Sequence, residues 1–125
     1  MNKIKTFTDL LVWQKGHTLV LQIYACTQTF PVIEQFGLTN QIRRAGVSIT
    51  SNIAEGFSRQ SYKEKIQFYS IALGSVTEVQ NQLLISRDLE YISKEEFKML
   101  AVLTVEINKM LNGLIKNSKS IILNS

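Results

Sequence analysis

Apolar residues recur every three or four positions through almost all of this sequence, and a single proline, Pro31, interrupts them. That spacing lines side chains along one face of an α-helix, because 3.6 residues complete each turn. Strand-like alternation, long low-complexity tracts and internal repeats are all missing from the sequence. The chain is therefore expected to be all-α. Its 125 residues, 45% of them apolar, suffice for one domain over 1–125 with a core that needs no disulfide or metal support.

Caps and stops divide the pattern into four helices. Thr8 is placed to cap a first helix over about 8–30, with Asp9 in its first turn and Phe7 stapled against Val12. Its apolar face runs through Val12, Gly16, Leu19, Val20, Ile23, Cys26 and Phe30, and Pro31 ends it. A second helix over about 38–56 follows the Phe36-Gly37 turn signal, capped by Thr39 or a near neighbour and stopped at Gly56. Leu38, Ile42, Ala45, Ile49 and Ile53 form its stripe.

Ser61-Tyr62-Lys63-Glu64 is a capping box that opens a third helix, about 61–90, with Ile66, Tyr69, Leu73, Val76 and Leu83 inward. A second box, Ser93-Lys94-Glu95-Glu96, opens a fourth over about 93–117. Phe97, Leu100, Thr104, Ile107, Leu111 and Leu114 make its stripe, and fraying is expected near Asn117, before the apolar tail Ile121-Ile122-Leu123. Connections this short make each helix antiparallel to its chain neighbour, giving an antiparallel up-down-up-down four-helix bundle.

A helix outside a monomeric bundle needs one apolar stripe and should carry charge elsewhere. No formal charge appears over Gly16–Ile33, Ala45–Ala54 or Ile66–Thr77. At 100° per residue, Val47, Thr50, Ser51 and Ala54 point outward from the second helix with small side chains that permit close approach. They are the candidate oligomer interface, and a homo-oligomer is the expected cover for the first three helices. The fourth, with Lys94, Glu95, Glu96, Lys98, Glu106 and Lys109, is expected to face solvent.

Net charge is +4 and the pI is about 9.3, which favours acidic partners such as nucleic acid. Arg59, Lys63 and Lys65, opposed only by Glu64, form the densest basic cluster and the first nucleic-acid-binding candidates, with Tyr62 available to stack a base. Arg43 and Arg44 flank the outward side of the second helix and suit either phosphates or carboxylates on a neighbouring subunit. Arg44, Ser48, Ser51 and Glu55 share a stripe and are expected to form an interface network, while Asn52 and Glu55 fix helix register. The competing reading is a solvated loop and an assembly scaffold with no nucleic-acid role.

Catalytic residues, cofactors and metal ions are not expected. His17 is the only histidine, no Glu-x-x-His pair exists for a di-metal centre, and phosphate loops and nucleophile elbows are missing. A lone cysteine, Cys26, fits a reducing compartment, so cytoplasmic location without an export signal is expected. The uncharged run Gly16–Ile33 contains His17, Thr18, Gln22, Thr27, Gln28 and Thr29, too polar to favour a membrane span.

Several segments are distinctive together: Asp9-Leu10, Val12-Trp13-Gln14-Lys15, Phe30-Pro31, Phe36-Gly37-Leu38, Gln41-Ile42-Arg43-Arg44-Ala45, Ser48-Ile49, Asn52-Ile53-Ala54-Glu55-Gly56 and Arg59. Over about residues 7–115 the chain resembles the bacterial four-helix bundle proteins encoded by intervening sequences of large-subunit (23S) ribosomal RNA. These are similar to the accessory variability protein of diversity-generating retroelements. The resemblance implies a ring-like homopentamer and, in the retroelement relatives, a basic surface that binds nucleic acid and a reverse transcriptase. Where those proteins carry Ala-Ala this chain has Ala45-Gly46, which lowers local helix propensity by about 1 kcal/mol.

Overall fold

The computed structural model describes residues 3–125, and most of them lie in four helices: α1 Leu11–Thr27, α2 Leu38–Ser58, α3 Tyr62–Asp88 and α4 Lys94–Leu123. Short 3-10 turns, Phe7–Asp9 and Val32–Glu34, precede α1 and α2. No strand occurs among the described residues. Contacts across each seam run in opposite residue order. Gly16 faces Ile49 and Ile53 while Gly46 faces Ile23; Ser48 bonds Ser75 while Gly56 meets Tyr69; Gln80 bonds Thr104 while Arg87 lies over Phe97. Lys15 pairs with Glu106, so α1 also meets α4 and the antiparallel bundle closes.

The expected stripes meet at its centre. Leu19, Ile23, Ile42, Ile49, Ile53, Val76, Leu83, Leu100, Ile107 and Leu111 are essentially fully buried. Burial of each such side chain contributes about 1.5–3 kcal/mol, so the interior, and not intrinsic propensity, holds the helices.

Helix ends depart from the capping pattern in ways that side-chain competition explains. Thr8 does not cap α1, and Asp9 lies in the preceding turn, accepting the amides of Lys5 and Thr6 at 2.9 and 3.0 Å. Phe7 packs edge-on against Trp13, with centroids 5.4 Å apart, in place of a staple on Val12. α1 stops at Thr27, before Phe30, where Thr27 and Thr29 hydroxyls bond back to the carbonyls of Ile23 and Cys26. Thr39 is buried and caps nothing; Glu34 caps α2 by accepting the Leu38 amide at 3.2 Å.

Gly56 is not a stop either, since α2 runs two residues beyond it. It is a contact point: a Cβ there would lie 2.6 Å from Tyr69 Cε1 and 3.2 Å from Phe68 Cβ. Ser61 accepts the Glu64 amide at 3.1 Å, but the Glu64 carboxylate takes the Ser61 hydroxyl and not its amide. α3 ends where Glu90 turns left-handed at φ 62°, and the Tyr91 amide reaches back to Ser86 O at 2.9 Å. The Ser93–Glu96 box forms in both directions, at 2.9 and 3.0 Å. α4 does not fray at Asn117: Ile115 and Ser118 are buried, and packing carries the helix through Ile121–Leu123.

Two glycine substitutions should therefore move stability in opposite directions. Gly56→Ala meets the buried Tyr69 ring and should destabilise the fold by about 1–3 kcal/mol. Gly74→Ala, in α3 with nothing within 4 Å of the new methyl, should stabilise it by about 0.5–1 kcal/mol. Urea denaturation followed by circular dichroism measures both.

Candidate nucleic-acid interface and subunit surfaces

The candidate cations differ in how free they are. Arg43 does not flank an open face: its Nε donates to Thr27 Oγ1 at 2.8 Å, and its guanidinium lies 4.6 Å from the Tyr24 ring centre. It ties α2 to the end of α1. Arg44 is exposed and has no hydrogen-bond or ion-pair partner among the described residues. It lines a polar cleft of about 330 Å³ between α2 and α3 with Gln41, Ser48, Glu78 and Gln82, whose buried Oε1 is unpartnered.

Arg59, Lys63 and Lys65 do not form one open patch. Arg59 pairs with Glu55 at 3.1 Å and covers the Phe68 ring at 4.7 Å. Lys65 Nζ donates to the carbonyls of Phe57 at 2.7 Å and Gly56 at 3.3 Å, so it caps the negative end of α2. Partial burial holds its ammonium below the ordinary lysine pKa. Lys63 and Tyr62 face solvent.

The expected stripe on α2 is likewise divided. Ser48 Oγ bonds Ser75 Oγ at 2.7 Å, and Asn52 supports Ser48 from one turn away, so the register contact is within the bundle and not at an interface. Glu55 is exposed and takes no part in it. Val47 and Ser51 face outward as expected, whereas Thr50 packs against Gly16 of α1 and the half-buried Ala54 lines a depression beside Phe7.

Topology brings out a feature that runs of charge along the sequence conceal. The half of the bundle in which α1 begins and α4 ends comprises, among the described residues, 3–17, 52–72 and 104–125. It carries nine of the fourteen Lys and Arg residues but four of the ten carboxylates. The opposite half has five cations and six carboxylates, among them Asp88, Glu90, Glu95 and Glu96. The signal for this polarity lies in the sequence, because charges laid onto four antiparallel helices sort themselves to the two ends.

Apolar exposure is also wider than the uncharged stretches suggested. Leu21, Tyr24, Val47 and Ile71 are exposed there, as expected. α4 departs from expectation: Met99, Val102 and Val105, spaced by three, form an exposed apolar stripe between its charges. His17 stacks on Trp13 with centroids 4.8 Å apart, a packing role. Burial pushes the Cys26 thiol up to about 11, which leaves little thiolate near neutrality. Among the described residues no group of three His, Cys, Asp or Glu side chains is placed to hold a metal ion, and no helix is long and apolar enough to cross a membrane.

Closed antiparallel packing with a polarised, partly apolar surface defines a small all-α four-helix bundle protein. Residues 8–113 match the model of the 23S rRNA-intervening sequence protein family, and the chain belongs to that family. Its fold is similar to the crystal structure of a protein of unknown function from the S23 ribosomal protein family of Bacteroides thetaiotaomicron VPI-5482. The two share 30% identity and a TM-score of 0.79, over 85% of this chain and 99% of that one. No curated protein matches the chain.

The two lysines of the α2–α3 connection should separate in a stability measurement. Lys65→Ala frees two carbonyls and should cost about 1–2 kcal/mol, while Lys63→Ala should stay within about 0.5 kcal/mol of wild type. Thermal unfolding of both variants checks this; equal losses would refute the cap.

Proposed function

We propose that the chain is a non-enzymatic, oligomeric helical module that binds nucleic acid, or a protein acting on it, through the end of the bundle at which α1 begins and α4 ends. The nine-to-four excess of cations over carboxylates at that end is the observation that carries the reading. Phosphate backbones are held by such fields with no need for a shaped pocket. Arg59 and Lys65 contribute to the field while serving the fold, so the contacts fall to cations with fewer duties: Lys63, Lys116 and Lys119, all exposed.

Self-association is supported by the apolar side chains on uncharged stretches of α1, α2 and α3. The accessible surface of 7803 Å² also exceeds by roughly 1,000 Å² what a compact monomer of this mass presents. A ring of five is the number that the family resemblance implies.

Fluorescence anisotropy with a generic single-stranded RNA tests the nucleic-acid reading. Between about 50 and 200 mM salt, affinity should fall roughly tenfold or more if three or four phosphates are contacted. Lys63→Glu, Lys116→Glu and Lys119→Glu together should abolish binding without changing native mass. Absence of binding to RNA or DNA at the lower salt would reject the nucleic-acid role and leave assembly as the function.

A further inference from the structure

The α1–α2 loop exposes three large apolar side chains almost completely: Val32 by 85%, Ile33 by 88% and Phe36 by 87%. Flexible loops do so at little consequence, but this one is braced. The Glu34 and Gln35 amides bond Pro31 O and Val32 O at 2.9 and 3.0 Å, and the Gly37 amide bonds Glu34 O at 2.9 Å. Glu34 Oε1 accepts the Leu38 amide, and its Oε2 accepts the Tyr91 hydroxyl at 3.0 Å. Tyr91 also packs against the buried Phe30 ring at 5.2 Å. The apolar side chains are thus held out from a rigid mount, and little ordering entropy remains to be lost on docking.

The same chain presents a matching recess. An apolar groove of about 600 Å³ runs along the outer face of α4, floored by Phe97, Ala101, Val102 and Val105, with Lys98, Lys109 and Glu106 at its edge. Lys98 and Lys109 have no carboxylate partner among the described residues, because Glu106 is taken by Lys15. Tyr91 brings the α3–α4 turn against the loop, so Glu90 stands at the same end of the bundle as Glu34, while Asp88 there is paired with Arg87. Those carboxylates disfavour a phosphate backbone or an anionic lipid surface as the loop's partner and favour a lysine-edged one.

We infer that the loop Pro31–Gly37 of one copy seats Val32, Ile33 and Phe36 in the α4 groove of a second copy of this chain. Plug and groove lie on different surfaces, so the contact is heterologous and repeats from copy to copy, closing a ring where the rotation permits. This rests on the self-association in the proposed function and specifies the contact; it places α4 in the interface, where its charge alone had placed it in solvent.

Complementary crippled variants test it. One carries Ile33→Glu and Phe36→Glu, the other Val102→Glu and Val105→Glu; all four side chains are exposed, so circular dichroism should show both bundles intact. Sedimentation equilibrium at high concentration should give each variant alone a mass of 14.2 kDa. Mixed in equal amounts they should form a species of two subunits and no larger, because one good loop meets one good groove and both free ends are dead. Retention of the wild-type mass by either variant overturns the inference while self-association stands. Failure of the mixed monomers to pair overturns it as well, and a monomeric wild type removes it together with the reading on which it rests.

Discussion

Close approach of α2 to both of its neighbours is the contact on which the rest of the bundle depends. A Cβ on Gly16 would sit 3.0 Å from Thr50 Cγ2, one on Gly46 3.0 Å from Ile23 Cδ1, and one on Gly56 2.6 Å from the Tyr69 ring. Helices brought this near share one interior, and Ile42, Ile49 and Ile53 lose all contact with water. Polar groups along the seams are few: Ser48–Ser75 and Gln80–Thr104 satisfy one another, while the buried Gln82 Oε1 has no partner among the described residues.

That packing also decides what the cations can do. With α1 close to α2, Arg43 bridges to Thr27, and with α3 folded back at Gly56, Lys65 reaches the last carbonyls of α2. Side chains that look like a ligand site in sequence are recruited to hold helix ends. The field they generate remains, because a bonded lysine keeps its charge, and together with the free lysines of α4 it makes one end of the molecule basic. The other end combines carboxylates with a braced apolar loop, so a single small bundle carries two chemically distinct ends.

The helices and their inward faces were legible because 3.6-residue periodicity is set by backbone geometry alone; every stripe residue from Ile42 to Ile53 is buried where the spacing put it. Ends were less so. Gly56 reads equally as a stop or as a point of close approach, and only Tyr69 across the seam decides between them. Glu34 as the cap of α2 was hidden because it lies four residues before Leu38, in a 3-10 turn that the local sequence does not announce. For the site, charge was readable and orientation was not: nothing local says that Lys65 turns back while Lys63 stays free. The α4 stripe, by contrast, was present in the three-residue spacing of Met99, Val102 and Val105 and was masked by the intervening charges.

Exposed apolar side chains on all four helices and on a rigid loop amount to more than one bundle can cover, and in the proposed assembly copies of the chain cover them for one another. Sedimentation equilibrium of the unmodified protein at micromolar concentration measures this most directly. A single species is expected whose mass is a multiple of 14.2 kDa, five-fold for the ring that the family resemblance implies. A stable mass of 14.2 kDa at every concentration would contradict it.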